Sequence, residues 1–569
     1  MRFIWTIGIL LLSSALQAQD SEDRWKKTGS PETYLHHIEL RDERGQIITA
    51  EDDSTKLPHM GETCGPCHDM NKASGGLHGG AGPHGSPGEP WFIVDSKTAT
   101  RWPFHPRPWP GLTTPSDLGL DPEDLLQNFG AYDTGGSESM TGQASDCLIC
   151  HLPDGYDFHR RSKMLDQGKS ALAAFVAAGL FEPSGKPVSR LWDESGKVTL
   201  NLKGDAGPLA CLQCHTSKPA TANQASPHWS HADDVHLAAG MSCVDCHRAG
   251  IDHHVVRGKE GEIHPTGAEI KALSCRGCHL PDGEAVMHSA PRPEHRGLPP
   301  FHLEQMSCTA CHSGPDLNHL GEKTWTSRAH QLGIPKQGRS SEDPPSIYSG
   351  ILALDDQGRW APHHQGWPEG WIQIAQANES EAVLSPAEMR TPLRRILRVR
   401  SDLLEKIANT DDDSSREERS TSAFLNQANP PTALVTGGSA WRPAPGDFLQ
   451  AEPSDLAQPV QWTIGHPVRP ASMSLGSQGC TDCHSSTTSW PLLMSSPDPL
   501  IRIRSHTDGN PLRQEQLRTT NVFDSVLWDL WKPIFPARDL AKFYFLTCAF
   551  LASAAAVYRF LSIMTGRHG

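Results

Sequence analysis

The chain has 569 residues, a formal net charge of −15, 15 Cys and 30 His. The acidic balance argues against a nucleic-acid-binding protein, and 37% apolar residues argues against both wholesale disorder and a polytopic membrane protein. The 50 Gly and 46 Pro predict a loop-rich chain with short elements. The unusual feature of the composition is its Cys and His content.

The N-terminus has the pattern of a secretory signal peptide. A basic residue precedes an apolar run from Phe3 to Leu12, and small and polar residues lead to a cleavage site after Ala18. The alternative is a first membrane anchor, which needs a longer apolar run. We therefore expect residues 1–18 to be removed on export to an oxidising compartment, where paired Cys normally form disulfides.

Fourteen of the 15 Cys lie in seven copies of the pattern C-x-x-C-H, far more than composition alone predicts. One motif lies in a Gly- and Pro-rich N-terminal region, residues 19–140, and five follow in residues 141–320. The seventh lies in residues 460–535, with a connector after it. The motifs, numbered one to seven in chain order, are Cys64/Cys67/His68, Cys147/Cys150/His151, Cys211/Cys214/His215, Cys243/Cys246/His247, Cys275/Cys278/His279, Cys308/Cys311/His312 and Cys480/Cys483/His484.

This pattern is the attachment signature of c-type haem. Two thiols three residues apart reach the two vinyl groups of one porphyrin and form thioethers, and the following His becomes the proximal iron ligand. Thioether formation also explains why these Cys need not pair as disulfides. Zinc is a weaker alternative, because closed zinc sites combine ligands in fours and seven motifs leave one over; a thioredoxin-like thiol site needs a single motif. We therefore predict seven covalently attached copies of haem c.

The seven motifs make the chain resemble the multihaem c-type cytochromes. The crowding of motifs two to six is similar to the group that includes octahaem tetrathionate reductase and hydroxylamine oxidoreductase. The sequence departs from that group, because it has seven motifs rather than eight and no C-x-x-C-K motif. The resemblance therefore carries over no catalytic residue.

The five motifs in residues 141–320 predict a five-haem core. About 33 residues per haem is too short a chain to bury a separate hydrophobic core. We therefore expect the haems to form the core and adjacent haems to lie close together, as electron transfer requires. The predicted fold is mainly α and irregular, with few strands, and Gly75–Gly88 and Trp102–Pro110 are predicted loops.

Each haem has a second axial position, for which 23 of the 30 His remain. In multihaem cytochromes a His shortly before a motif commonly ligates a neighbouring haem. The candidate distal ligands on this basis are His59, His236, His302 and His466. Further candidates in the dense region are His228, His231, His253, His254, His264, His288, His295, His319 and His330. Met60, Met241 and Met306 are alternatives that would raise the reduction potential, but the His surplus favours bis-His haems of low potential.

Residues 321–459 carry no Cys and are predicted to be a haem-free, partly helical insert. The charged stretch Asp411–Glu418 is a predicted mobile loop, and short strands are expected near Thr432–Val435 and Val460–Ile464. A helical stripe is formed by Leu393, Ile396, Leu397, Leu403, Leu404 and Ile407.

The C-terminal region, residues 536–569, contains an apolar stretch from Phe543 to Met564 that is long enough to span a membrane. Its one charge, Arg559, lies near the end, from which it can reach the interface. A buried or amphipathic helix is the alternative. With an export signal, we expect this helix to anchor the body at the periplasmic face of the cytoplasmic membrane.

Two functions follow from these features. The first is a relay that passes electrons from a quinol-oxidising membrane partner to a periplasmic or extracellular acceptor, through redox partner proteins and without nucleic acid. The second is a multihaem oxidoreductase that acts on a small nitrogen or sulfur compound at one haem with an open distal position. A structural or haem-storage role is a third. The His surplus and the uniform motifs favour the relay.

Overall fold

The structure is a computed structural model of the chain. It describes residues 36–76, 89–95, 97–105, 112–136, 139–152, 155–204, 206–215, 234–280, 290–314, 347–374, 380–396, 414–446, 448–479, 482 and 534–566. The predicted signal peptide and Cys480, Cys483 and His484 of motif seven lie outside these residues.

The described residues form a mixed, loop-rich fold. The predicted loop-rich character is confirmed, but the expectation of a mainly helical chain with few strands is wrong, because twelve strands form four sheets within the described part. The strands are β1 (His37–Ile38), β2 (Trp91–Asp95), β3 (Thr100–Phe104), β4 (Val198–Thr199), β5 (Ile347–Leu354), β6 (Trp360–Gly366), β7 (Gly370–Gln373), β8 (Ala382–Leu384), β9 (Thr432–Thr436), β10 (Ser439–Ala444), β11 (Phe448–Glu452) and β12 (Val460–Thr463).

The helices are short, apart from the last. They are α1 (Met60–Cys64), α2 (Met70–Ala73), α3 (Pro122–Phe129), α4 (Leu148–His151), α5 (Phe158–Asp166), α6 (Ser170–Ala177), α7 (Pro208–Cys214), α8 (Val235–Ala238), α9 (Cys243–Cys246), α10 (Cys275–His279), α11 (Pro300–Gln305), α12 (Cys308–His312), α13 (Pro386–Ile396), α14 (Ser414–Gln427) and α15 (Ile534–Met564).

A packed region, residues 139–204, surrounds motif two. Helix α6 is apolar on nearly all sides and is buried along most of its length, as such a helix must be. Beside it, Arg161 is 2% exposed and its Nε donates to the Asp146 carboxylate at 2.8 Å, while Tyr156 donates to the same carboxylate oxygen. The expectation that haems alone form the core of residues 141–320 is therefore wrong for this region, which buries a side-chain core of its own.

A sparse region, residues 234–314, carries motifs four, five and six. Among its described residues, Val256 and Ala310 are the only buried hydrophobic side chains. Its backbone runs mainly through turns between one-turn helices. Side-chain burial of this kind is too small to hold a chain segment of this length in one conformation.

Antiparallel sheets dominate the segment that follows. Five strands pair in the order β11-β10-β9-β7-β8, and three pair in the order β12-β6-β5. Helices α13 and α14 contribute Leu393 and Phe424 to a core around the fully buried Trp371. The predicted strands near Thr432–Val435 and Val460–Ile464 are confirmed as β9 and β12.

Two local predictions need revision, and a third is confirmed in part. The expected loop at Asp411–Glu418 is wrong from Ser414 onward, where α14 begins. The expected loop at Trp102–Pro110 is wrong at its start, because Trp102 lies in β3, paired with Ile93 of β2. The predicted helix is confirmed as far as Ile396, with Leu393 buried, and its continuation from Leu397 to Ile407 lies outside the described residues.

Helix α15 runs from Ile534 to Met564. Its segment Leu540–Met564 has a mean hydropathy of 1.7 and no buried residues, so it is long and apolar enough, by length and composition, to cross a membrane.

Candidate haem sites

Each described C-x-x-C-H motif forms a single helical or hydrogen-bonded turn. In motifs one to four the His backbone N–H donates to the carbonyl of the first Cys, at 2.8–3.0 Å. Motifs five and six lie wholly within α10 and α12. Because residues three apart share one face of a helix, each turn presents its two thiols on the same side. This is the arrangement that two thioether bonds to one porphyrin edge require.

Motifs one, three and five place attachment residues at the protein surface, where Cys67 and His68, His215, and Cys275 are exposed. Cys67 is exposed, because α1 ends at Cys64 and Cys67 lies in the turn that follows, with its N–H bonded to the Cys64 carbonyl at 3.1 Å. His215 is exposed at the C-terminal end of α7, where its N–H donates to the Cys211 carbonyl at 2.8 Å.

The polypeptide itself does not enclose Cys67 or His215, whereas Cys64 and Cys211 are partly buried. The roles of Cys67 as a haem thiol and of His215 as a proximal ligand stay predictions.

A polar residue directly before the first Cys starts several of these turns. Ser274 and Ser307 accept hydrogen bonds from the N–H three residues further on, at 3.0 and 3.2 Å. Ser242 forms a capping box with Asp245, and Asp146 accepts from the N–H of its third following residue at 3.1 Å. Such caps stabilise a helix end by about 1 kcal/mol each, so the sequence itself sets where the turn begins.

The rings of four motif His, which the sequence predicts as proximal ligands, are held by backbone carbonyls. A carbonyl can only accept, so each of these Nδ1 atoms carries the proton and each Nε2 is left with a lone pair for iron. A second hydrogen bond of this kind fixes the ring orientation of a metal-bound His. The bonds join His151 to Lys203 at 2.7 Å, His247 to Val256 at 2.8 Å, His279 to Pro291 at 2.7 Å and His312 to Arg469 at 3.1 Å.

The same four His rings each lie beside a second His. Two imidazoles that held one metal ion between them, with metal–nitrogen distances of about 2 Å, would have ring centres about 6 Å apart. The observed separations fit that value. They are 5.9 Å for His151 and His253, 6.2 Å for His247 and His466, 6.0 Å for His279 and His236, and 6.4 Å for His312 and His295.

The structure therefore brings two of the four leading distal candidates, His236 and His466, beside a proximal His. His302 lies with its ring centre 4.2 Å from that of Phe301 and its Nδ1 at 3.3 Å from a backbone carbonyl. His59 caps α1, where its Nδ1 accepts from the Glu62 N–H at 3.2 Å. The assignments of His59 and His302 as distal ligands stay predictions.

Two further pairs use His253 and His295, which the sequence ranks no higher than their neighbours. Both have left-handed backbone conformations, with φ of +53° and +39°. Such conformations are uncommon for residues other than Gly, and no sequence pattern predicts them. Of the other candidates, His228, His231, His288, His319 and His330 lie outside the described residues, and His254 and His264 lie against each other at 4.9 Å.

The attachment thiols of consecutive motifs are neighbours. The Cys211 thiol donates to Cys243, and this hydrogen bond raises the pKa of Cys211 and lowers that of Cys243 to about 7. Burial and then the nearby Cys64 raise the pKa of Cys147 to about 12. The Cys275 thiol donates to Cys308 in the same way, and burial followed by Cys278 raises the pKa of Cys246.

These contacts make one continuous series of attachment sites. Cys64 of motif one interacts electrostatically with Cys147 of motif two, and Cys211 of motif three bonds to Cys243 of motif four. Between motifs two and three, helix α4 contacts helix α7. The thiols likewise link motif four to five and motif five to six. Near motif six, the Leu475 N–H donates to the Cys311 carbonyl at 3.1 Å, and the Gly476 N–H donates to Asp482, inside motif seven, at 3.1 Å.

The residues present fit covalently attached haem. The thiols face one side of each turn, the Nε2 atoms of the four motif His keep a lone pair for iron, and the sparse region lacks an apolar core made of described side chains.

No family model matches the chain. Over 166 residues it is 26% identical to the high-molecular-weight cytochrome c of Nitratidesulfovibrio vulgaris strain Hildenborough, a match covering 28% of this chain and 26% of that protein. The chain is a multihaem c-type cytochrome.

The cytochrome also has a similarity to a solved structure, the octaheme cytochrome c from Shewanella oneidensis. The TM-score is 0.32 at 15% sequence identity, and the alignment covers 77% of this chain and 93% of the other. The cytochrome's match to the curated relative spans only about a quarter of that relative's length, 26%. Its copy number of haem, its partners and its place in the cell are therefore matters of proposal.

Proposed function

We propose that this cytochrome is a membrane-anchored electron relay with seven bis-His haems. Bound haem iron supplies the one-electron chemistry, and the protein supplies ligation, spacing and electrostatics. The observation that carries the proposal is that four motif His each lie beside a second His, with their ring centres 5.9–6.4 Å apart. An iron ligated on both faces has no position for a substrate, so such a site serves electron exchange rather than catalysis.

We assign the axial pairs accordingly: His151 with His253, His247 with His466, His279 with His236, and His312 with His295. Backbone strain supports two of these assignments. The non-Gly residues with positive φ in the described part of the chain are Ala99, His253 and His295. Such conformations cost on the order of 1–3 kcal/mol and persist mainly where the surroundings hold a functional group in place.

The series of neighbouring motifs supports the relay in a second way. Each described attachment site lies near the next, through a thiol–thiol hydrogen bond, an electrostatic interaction between thiols or, for motifs two and three, contact between α4 and α7. The bonds of Leu475 and Gly476 extend this series to Asp482 in motif seven, which is the nearest in sequence to helix α15. We therefore place the exchange with the membrane partner at motif seven and the exchange with the acceptor toward motif one.

The exposure at motif one fits an acceptor site. Electron transfer to a partner protein requires a haem edge near the surface, and Cys67 lies at the surface of this motif. The acidic balance of the chain favours a basic acceptor and makes the encounter depend on salt.

Helix α15 supports the membrane part of the proposal. It exposes large apolar side chains on all sides, among them Phe545, Phe550 and Tyr558, and no other described element covers them. An exposed apolar surface of this extent needs lipid or a partner. Together with the predicted signal peptide, it supports a haem-binding body on the periplasmic face, with a quinol-oxidising complex as the proposed electron donor.

The test of the relay is low-temperature EPR on the oxidised, detergent-purified holoprotein, before and after addition of cyanide or nitrite. We expect low-spin ferric signals only, unchanged by either ligand. The variant His466→Ala is the control, because removing one distal ligand should create a high-spin signal that responds to cyanide. A high-spin, ligand-sensitive signal in the wild-type protein would instead favour the oxidoreductase.

Membrane attachment has a separate test. A chain ending at residue 533 should move to the soluble periplasmic fraction with its haem content unchanged, whereas the full chain should resist extraction from membranes by alkaline carbonate. Retention of the shortened chain in membranes would remove the anchor from the proposal.

A further inference from the structure

Asp234 lies between two of the paired His rings. Its side chain is fully buried, with 0% exposure. Oδ1 accepts from the backbone N–H of His236 at 2.9 Å and of Leu237 at 3.3 Å, which makes Asp234 the N-cap of α8. Oδ2 accepts from His466 Nδ1 at 2.7 Å and from the Val468 N–H at 3.0 Å.

We infer that Asp234 is a positioning residue shared by two neighbouring haem sites, which orients His236 at motif five and His466 at motif four and lowers the reduction potential at motif four. The inference rests on the axial pairs proposed above. One carboxylate oxygen serves each site, and the two segments that it joins are 232 residues apart in sequence.

The two oxygens act through different groups. Oδ1 fixes the first turn of α8 and thereby the direction in which His236 leaves the backbone, while the Val235 N–H adds a 2.9 Å bond to the Val468 carbonyl. Oδ2 contacts the imidazole of His466 itself. Oδ1 also lies 3.7 Å from His236 Nδ1, beyond hydrogen-bond distance, so a substitution that keeps the cap but removes the charge should act mainly at His466 and only weakly at His236.

The effect on potential comes from the kind of acceptor. His247, on the opposite side of the motif-four site, donates to a neutral carbonyl, whereas His466 donates to a carboxylate. Charge-assisted hydrogen bonds of this kind are shorter and stronger than neutral ones, and they increase the basicity of a metal-bound imidazole. A more basic ligand stabilises ferric over ferrous iron, which lowers the potential.

The carboxylate is enclosed by donors from two segments, so its oxygens are shielded from water even though the ring of His466 is itself exposed.

The test compares Asp234→Asn and Asp234→Ala in the full-length holoprotein by EPR and by spectroelectrochemical titration. Asp234→Asn keeps an acceptor for α8 and loses the carboxylate facing His466. We expect one of the seven haem components to move to higher potential and one low-spin EPR species to change. Asp234→Ala also loses the cap, so a second low-spin species should change.

Asp193→Asn is the matched control, because Asp193 also bonds a His ring, His37, at 2.5 Å, but in a pair that contains no motif His. It should leave every potential unchanged. Unchanged potentials in Asp234→Asn would overturn the inference. If His466→Ala also left all irons low-spin, the proposed pair of His247 and His466 would be wrong. A new high-spin signal in His466→Ala would support that pair and show that only the inference about Asp234 had failed.

Folding is checked by haem content in each preparation. If Asp234→Ala fails to accumulate with full haem content, Asp234→Asn alone still decides the effect on potential. Loss of haem from both variants, with Asp193→Asn intact, would show a structural role only and would also overturn the inference about potential.

Discussion

The packed region and the sparse region both carry C-x-x-C-H motifs, yet they bury very different amounts of apolar side chain. The packed region has 17 buried hydrophobic residues among its 64 described positions, and the sparse region has two among 72. A segment without a side-chain core needs another apolar group to fold around. The haems that we propose at motifs four to six would be that group in the sparse region, whereas in the packed region a haem would be added to a fold that side chains already stabilise.

The largest expected effect follows from removing one haem in each region. The double variant Cys275→Ala/Cys278→Ala should make residues 234–314 sensitive to protease, because motif five lies amid few buried side chains. The matched variant Cys147→Ala/Cys150→Ala should leave residues 155–204 protected. Limited proteolysis with mass spectrometry locates the cuts. Equal protection of both regions would contradict the comparison.

A smaller effect is expected from the buried ion pair of the packed region. Arg161→Ala leaves the Asp146 carboxylate buried without its partner, so we expect a loss of about 3–5 kcal/mol in the free energy of unfolding. Its neighbour Arg160 pairs with Asp157 at the surface, and Arg160→Ala should cost at most about 1 kcal/mol. Denaturant unfolding followed by far-UV circular dichroism measures both. Similar losses in the two variants would show that the buried network is dispensable.

The smallest effect compares one helix cap in each region. Ser307→Ala removes the cap of motif six, and Asp157→Ala removes the cap of α5. Each should cost about 1 kcal/mol. Only Ser307→Ala should alter a low-spin EPR species, because its cap sets the turn that carries His312. A spectral change in Asp157→Ala would mean that the packed region also tunes its haem through α5.

The sequence predicted the attachment turns well, because their geometry is local. Spacing alone placed both Cys and the His on one turn. The exposure of Cys67 and His215 could not be read from spacing, since it depends on what the rest of the chain packs against each turn. The pairing of His253 with His151 was missed for a similar reason, because it depends on long-range folding and on an unusual φ value.

Asp234 was missed because its partner is distant in sequence. An Asp before a short helix is predicted to be an ordinary N-cap, and no residue near Asp234 in sequence indicates a bond to His466. The second function of its carboxylate follows only from the packing of two segments against each other.

The sheets were predicted least well. Strand β6, WAPHHQG, has neither an alternating apolar pattern nor a run of β-branched residues, so its place between β12 and β5 is decided by tertiary pairing. Helix α14 begins in a charged stretch, SSREERS, that favours solvent exposure, and its apolar contacts come from Phe424 and Leu425 near its end. A charged composition therefore predicts a loop wrongly where only one end of a helix is buried.

The long-range hydrogen bonds of the 466–469 segment have a consequence for biogenesis. His312 bonds to the carbonyl of Arg469, 157 residues later, and Asp234 bonds to His466, 232 residues later. The surroundings of motifs four and six are therefore completed by a segment that lies far later in the chain. A chain exported from its N-terminus, as we propose, would finish these sites only after residue 469 had crossed the membrane.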